Sequence, residues 1–130
     1  MKFILLLVMI FCHMIADYNL QGILANLKQK RWWRENADDP KYENDWKIAL
    51  IEHSFVWSFM VHIPVIYVYY NESDKWFISI SISIIMHTIL HAIIDHLKAN
   101  RLQINLITDQ VYHFIQILLI WVLFILTKGV

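Results

Sequence analysis

The sequence predicts an all-α, polytopic membrane protein: a bundle of four transmembrane helices. Hydrophobic residues make up 58% of the 130 residues and charged residues only 17%, a balance too apolar for an ordinary soluble domain. Glycine and proline number two each, so the connections must be short and most of the chain regular. Four apolar segments each approach the roughly 20 residues that cross a hydrocarbon core. The length allows one domain at most, a single transmembrane helical domain over residues 1–130.

The four predicted spans cover residues 2–25, 47–70, 76–97 and 106–127. The first segment has an alternative interpretation as a secretory signal peptide cut near Ala16. We prefer a retained helix, because the segment continues past that point into a polar stripe and further apolar residues. Phe11 before Cys12 also differs from a lipoprotein site, which has a small residue there. The sole cysteine has no partner for an intrachain disulfide.

The third segment contains one conflicting signal. Residues 77–85, FISISISII, alternate with a period of two, which is the pattern of a half-buried strand. A lone strand would leave its backbone groups unpaired in lipid, and the other segments show no alternation from which a barrel could be closed. We therefore predict a helix here as well.

Basic residues predict the orientation. The first and third connections carry eight lysines and arginines: Lys28, Lys30, Arg31, Arg34, Lys41, Lys47, Lys98 and Arg101. The opposite side carries Lys2, Lys75 and Lys128. The positive-inside rule then places the two basic loops in the cytoplasm and both termini outside, as in a multi-pass protein of a bacterial-type inner membrane. The lipid bilayer is the predicted partner; a formal net charge of zero gives no reason to expect nucleic acid.

Polar residues, most of them ionisable, recur at intervals of four within the predicted spans. They are His13, Asp17 and Gln21 in the first, His87, His91 and Asp95 in the third, and Asp109 and His113 in the fourth; His53 lies early in the second. An interval of four keeps residues on one helix face. All four helices thereby bring such groups to a similar depth on the predicted cytoplasmic side, and we expect them to meet in one pocket.

Imidazole and carboxylate four residues apart can both reach one divalent ion, and this pair of ligand types suits zinc, iron or manganese. The predicted ligands are His13, Asp17, His91, Asp95, Asp109 and His113, with zinc as the first choice of metal. Four further residues are predicted to orient a ligand or a bound water or to join the site: Gln21, His53, His87 and Gln110. A proton pathway and a purely structural network remain alternatives for the same residues.

The predicted function is a metal-dependent hydrolase that acts on an amphipathic substrate, such as a lipid or an isoprenoid phosphate, at the cytoplasmic leaflet. The metal would activate a water, and Asp17 or Asp109 would act as general base. Lys28, Lys98 or Arg101 would hold the head group. The alternatives are a proton or divalent-ion transporter and a non-enzymatic accessory protein. Four spans are few for a transporter acting alone, so a homo-oligomer is compatible with each hypothesis.

Three motifs resemble those of a known family. Residues 13–21, HMIADYNLQ, resemble the HxxxDFxLQ signature of the small multi-pass membrane proteins called domain of unknown function 3307, with Tyr18 where phenylalanine is common. Residues 91–98, HAIIDHLK, resemble its HxxxDxxK element, and residues 109–113, DQVYH, its DQxxH element. The resemblance implies functional roles for His13, Asp17, Gln21, His53, His91, Asp95, Lys98, Asp109, Gln110 and His113. The family is distantly similar to membrane proteins labelled metal-dependent hydrolases. The activity that the resemblance implies is therefore metal-dependent hydrolysis.

Overall fold

The structure, a computed structural model, describes residues 1–126 and is helical throughout that range apart from turns and connections. The α-helices are α1 (Lys2–Met14), α2 (Leu24–Leu27), α3 (Lys30–Asn36), α4 (Trp46–Tyr69), α5 (Asp74–Ala99) and α6 (Leu106–Ile120). π-helical segments continue α1 over Ile15–Asn19 and α6 over Trp121–Leu126, and a 3-10 turn covers Pro40–Tyr42. The all-α prediction is confirmed, and the alternating stretch of residues 77–85 lies inside α5 as helix.

Four helical stretches are long and apolar enough to cross a membrane. They cover Lys2–Asn19, Pro40–Tyr69, Asp74–Ala99 and Leu106–Leu126, with 18, 30, 26 and 21 residues. The first helix ends at Asn19 rather than at the predicted Ala25, because the chain turns at Gly22, whose φ of +44° lies in the left-handed region that favours glycine. Thr127, the predicted end of the last span, lies outside the described residues.

The long helices alternate in direction and pack into a bundle whose outer surface is apolar. α4 packs along α5, and α1 packs against α4 and α6. Large apolar side chains point outwards, among them Phe3 and Ile78, which are 72% and 61% exposed. Such a surface suits lipid and not water.

The two ends of the bundle differ in chemistry. At one end the interior is apolar, with Val61, Tyr69 and Phe124 buried in a common core; the Tyr69 hydroxyl donates to the Phe124 carbonyl at 2.8 Å. The other end collects the end of α1, the start of α4, the end of α5 and the start of α6. Buried histidine and aspartate side chains of all four helices lie at this second end.

The connection between α1 and α4 is fastened over the polar end by Asn100. This side chain accepts a hydrogen bond from the Lys30 backbone N–H at 2.6 Å and donates to the Lys28 carbonyl at 3.0 Å. Because both contacts hold the segment after α2 against the end of α5, the Lys28 side chain can enter the bundle.

Candidate metal centre

Six ionisable side chains from four helices meet at the polar end of the bundle. They form what we call the His/Asp cluster: Asp17, His53, His91, Asp95, Asp109 and His113. Each is at most 3% exposed. The antiparallel arrangement explains the meeting, since residues near the end of α1 and α5 lie level with residues near the start of α4 and α6.

Within the cluster, three overlapping triplets have ligand atoms that all lie within 4.8 Å of one another. The triplets are Asp17, His91 and His113; His53, His91 and Asp95; and Asp95, Asp109 and His113. Asp95, His91 and His113 each belong to two triplets and lie at the centre of the cluster. Each triplet offers the mixed imidazole and carboxylate donors that divalent transition metals accept.

His53 and His91 approach each other through their Nε2 atoms, which are 3.3 Å apart. His53 Nε2 also lies 3.3 Å from Asp95 Oδ2 and 3.5 Å from Asp17 Oδ1. His91 Nε2 lies 3.7 Å from Asp95 Oδ1. Two neighbouring imidazole nitrogens and two carboxylates thus converge on one small space.

His113 sits between two carboxylates. Its Nε2 atom lies 3.5 Å from Asp95 Oδ1 and 3.5 Å from Asp109 Oδ1. Within residues 1–126, none of these three atoms has a hydrogen-bond partner, although all three residues are fully buried. Buried polar atoms are normally paired, and leaving one unpaired costs about 1–3 kcal/mol, more for a charged group.

The distances between nitrogen and oxygen atoms in the cluster match those between ligands of a common metal ion better than those between hydrogen-bond partners. A hydrogen bond between N–H and oxygen spans about 2.7–3.2 Å. Around a tetrahedral zinc with bonds of about 2.0–2.1 Å, neighbouring ligand atoms lie about 3.3–3.4 Å apart. The cluster distances of 3.3 to 3.7 Å fall near the second value.

Two lysines bind the outer oxygens of the cluster carboxylates. Lys28 Nζ lies 2.5 Å from Asp95 Oδ2, with 6% of the lysine side chain and none of the aspartate exposed. Lys98 Nζ lies 2.5 Å from Asp109 Oδ2, and 25% of the Lys98 side chain is exposed. The Oδ1 atoms of both carboxylates lie near His113, and Asp95 Oδ2 also lies near His53. Because Lys98 is the more exposed of the two, the Asp109 side of the cluster lies nearer the surface.

His13 adjoins the cluster, but both of its ring nitrogens are engaged elsewhere. The Trp57 indole N–H donates to His13 Nδ1 at 2.7 Å. The proton of a neutral His13 ring therefore resides on Nε2, which donates to Gln110 Oε1 at 3.0 Å. Gln110 Nε2 in turn donates to Asp17 Oδ2 at 2.8 Å. His13 thus holds Gln110, and Gln110 holds Asp17. His13, a predicted metal ligand, belongs to none of the three triplets.

Trp57 also forms one wall of the cluster. Its ring stacks on His91 with centroids 4.3 Å apart, His91 stacks on His113 at 4.2 Å, and the Trp57 and His113 rings lie 5.4 Å apart, so the three rings contact one another. The stack fixes the planes of two predicted ligands. Sequence analysis did not single out Trp57, although its position four residues after His53 puts both on one face of α4.

The other predicted residues lie around or outside the cluster. The Gln21 side chain donates to the Asp17 carbonyl, beyond the π-helical segment that ends at Asn19. His87 belongs to a separate network, where it contacts Ser83. Arg101 lines a surface pocket, away from the buried ion pairs that engage Lys28 and Lys98. His53, predicted as an additional residue, contributes directly to a triplet.

The π-helical segment at the end of α1 has a local consequence for Asp17. The Leu20 N–H bonds to the Ile15 carbonyl at 2.9 Å, one residue further along than in an α-helix. Such insertions occur frequently at functional sites. Here the segment carries Asp17 into the interior while Tyr18 remains 55% exposed.

Comparisons with known proteins give no match: no family model, no curated protein and no solved structure is significantly similar to the chain.

Proposed function

We propose that the protein is an integral membrane protein that binds a divalent metal ion in the His/Asp cluster. The observation that carries the proposal is the group of buried atoms without hydrogen bonds, Asp95 Oδ1, Asp109 Oδ1 and His113 Nε2. All three are metal-ligating atoms, and the outer carboxylate oxygens are already neutralised by lysine. A cation bound between them would satisfy all three at once.

Charge balance supports the same proposal. The cluster contains three carboxylates, and two lysines pair with two of them, so one negative charge remains when the imidazoles are neutral. An isolated charge in a low-dielectric interior is strongly disfavoured. A divalent ion with a bound hydroxide would bring the total to zero. The donor set suits zinc first, with iron or manganese as alternatives.

We propose further that the metal serves hydrolysis of an amphipathic substrate at the cytoplasmic leaflet. Bound metal lowers the pKa of a coordinated water towards neutrality, which supplies a nucleophile. Asp109 Oδ1 is one of the atoms proposed to bind the ion and its Oδ2 pairs with Lys98, so Asp109 does not also act as the general base. Asp17, the other predicted base, accepts a hydrogen bond from Gln110 through Oδ2 and would accept the proton of the water through Oδ1.

Elemental analysis of the purified full chain tests the metal proposal. We expect near-stoichiometric metal in the wild type, and its loss in His113→Ala, which removes a proposed ligand, and in His91→Ala. His62→Ala is the matched control, because His62 is equally buried but bonds Ser58 and Ser83 in a separate network. A wild-type protein with no more metal than His91→Ala would refute the proposal.

One observation favours a proton pathway as the second candidate. His62 Nε2 contacts Ser83 Oγ at 2.9 Å, and Ser83 Oγ contacts His87 Nδ1 at 3.3 Å, one helical turn from His91. This chain of polar groups extends from the cluster into the otherwise apolar half of the bundle. Proton flux into liposomes that Ser83→Ala abolishes, while metal content is unchanged, would support transport over hydrolysis.

A further inference from the structure

A polar pocket of about 770 Å³ lies beside the cluster, between α3, the start of α4 and the end of α5. Five of its lining residues are basic, Lys30, Arg31, Arg34, Lys47 and Arg101, and none is acidic. We call it the basic pocket. Its charge suits an anion.

Three of these cations pair with no carboxylate of residues 1–126, although the Lys47 ammonium lies over the Trp46 ring, 5.8 Å from its centroid. Arg31 pairs with Glu35 at 2.6 Å, and Lys30 lies 3.9 Å from Glu43. Arg34, Lys47 and Arg101 form no ion pair within residues 1–126. Three unpaired cations around one concave space are the chemistry that recognises a phosphate group.

An apolar groove of about 500 Å³ adjoins the basic pocket on the outer surface of α4 and α5. Its walls include Leu50, Ile51, Ala92 and Ile93. Both α4 and α5 belong to stretches apolar enough to cross a membrane, so a groove between them would face acyl chains.

The two spaces share a border made of Trp46, Lys47 and His96. The Trp46 and His96 rings stack with centroids 5.2 Å apart and planes 15° from parallel. Trp46 is 9% exposed, yet within residues 1–126 its indole N–H and His96 Nδ1 have no hydrogen-bond partner. The two stacked rings therefore form a common wall between the charged and the apolar spaces.

We propose that this combined site binds a phosphate-bearing anionic lipid from the bilayer. The phosphate occupies the basic pocket and one acyl chain occupies the apolar groove. The charge of the pocket and its continuity with the groove through Trp46, Lys47 and His96 together select a molecule with one anionic and one apolar part. A free phosphate would use only the first space.

The combined site is next to the His/Asp cluster along α5. His96 follows Asp95 in α5, and Asn100, which lines the basic pocket, holds the Lys28 backbone while Lys28 binds Asp95. The lipid's role as a substrate rests on the proposed hydrolysis. Its binding does not, because none of the pocket residues belongs to the cluster.

Lipid retention tests the proposal. The full chain is reconstituted into nanodiscs of phosphatidylcholine with a minor fraction of phosphatidic acid, extracted in mild detergent, and its bound lipids are counted by native mass spectrometry. We expect wild-type protein to retain phosphatidic acid and Arg34→Gln/Arg101→Gln to retain about 25-fold less, at about five-fold per cation. Lys41→Gln/Lys75→Gln removes two exposed cations outside the pocket and should leave retention unchanged.

A second pair of variants tests the groove. Ala92→Phe fills it and should lower retention, whereas Ile85→Phe, at a 58% exposed position of α5 outside the groove, should not. Equal retention in both charge variants, or in both groove variants, would overturn the proposal. Displacement of the lipid by inorganic phosphate at equal concentration would also overturn it, since the site would then bind phosphate alone.

The variant His113→Ala, which lacks a proposed metal ligand, separates the two proposals. Unchanged retention of phosphatidic acid in this variant supports an independent lipid site. Elemental analysis of the same sample measures its metal content and so tests the metal-binding proposal separately. Failure of one proposal is therefore distinguishable from failure of the other.

Discussion

Replacing Lys28 with methionine distinguishes a metal-binding cluster from a structural one. Lys28 is 5% exposed, and its ammonium lies 2.5 Å from a fully buried carboxylate of Asp95. Methionine keeps most of the apolar stem but removes the charge. Removing one partner of a buried ion pair costs about 3–5 kcal/mol, so we expect metal-free Lys28→Met protein to lose about that much free energy of unfolding.

Bound metal should reduce this loss. A divalent ion on Asp95 Oδ1 would itself neutralise the carboxylate. In Lys28→Met, the ion would also escape the repulsion that the Lys28 ammonium exerts on it in the wild type. Unit charges about 4 Å apart interact by about 4 kcal/mol at an effective dielectric constant of 20, so the relief of repulsion is comparable with the lost ion pair. We expect the metal-saturated variant to lose at least about 2 kcal/mol less than the metal-free variant.

The assay is SDS-induced unfolding in mixed micelles, followed by circular dichroism, with chelator and with saturating zinc. Arg31→Gln is the control: it breaks an exposed pair, with side chains 82% and 56% exposed, and should leave the stability nearly unchanged in both conditions. An equal loss for Lys28→Met with and without zinc would refute the idea that an ion binds beside Asp95.

Three further outcomes are expected. Trp57→Phe removes the indole N–H that fixes the His13 tautomer and should weaken zinc affinity about ten-fold, with the fold retained in circular dichroism. The control Trp121→Phe, which removes a donor to a backbone carbonyl, should leave zinc affinity unchanged. Equal zinc affinities in the two variants would contradict the role given to His13. Asn100→Ala should lower the free energy of unfolding by about 1–3 kcal/mol, measured in the same micelles, because the Lys28 segment loses two hydrogen bonds. Chelation of the wild type should lower its stability by about 2.7 kcal/mol relative to protein with zinc at 100 times its Kd, and no change in the unfolding midpoint would argue against a bound ion.

The candidate site was predictable from sequence to the extent that it depends on single helices. Spacings of four put His91 with Asp95, and Asp109 with His113, on one face whatever the neighbouring helices do. Those pairs lie together in the structure. Contacts between helices depend on how each helix is rotated about its axis, and no spacing within one helix specifies that.

The sequence by itself determined the four apolar helices and the level at which their ionisable residues lie. The hydrophobic length of each segment predicts the helices. Because each crossing reverses the direction of the chain, the position of a residue along its helix then predicts its level in the bundle. Only the tertiary structure decided which atoms face which. It turned His13 towards Trp57 and Gln110, brought His53 into contact with Asp95, and drew Lys28 and Lys98 into buried ion pairs. Those outcomes follow from helix rotation, from the π-helical segment at Ile15–Asn19 and from the Asn100 hydrogen bonds, all of which require distant parts of the chain to meet.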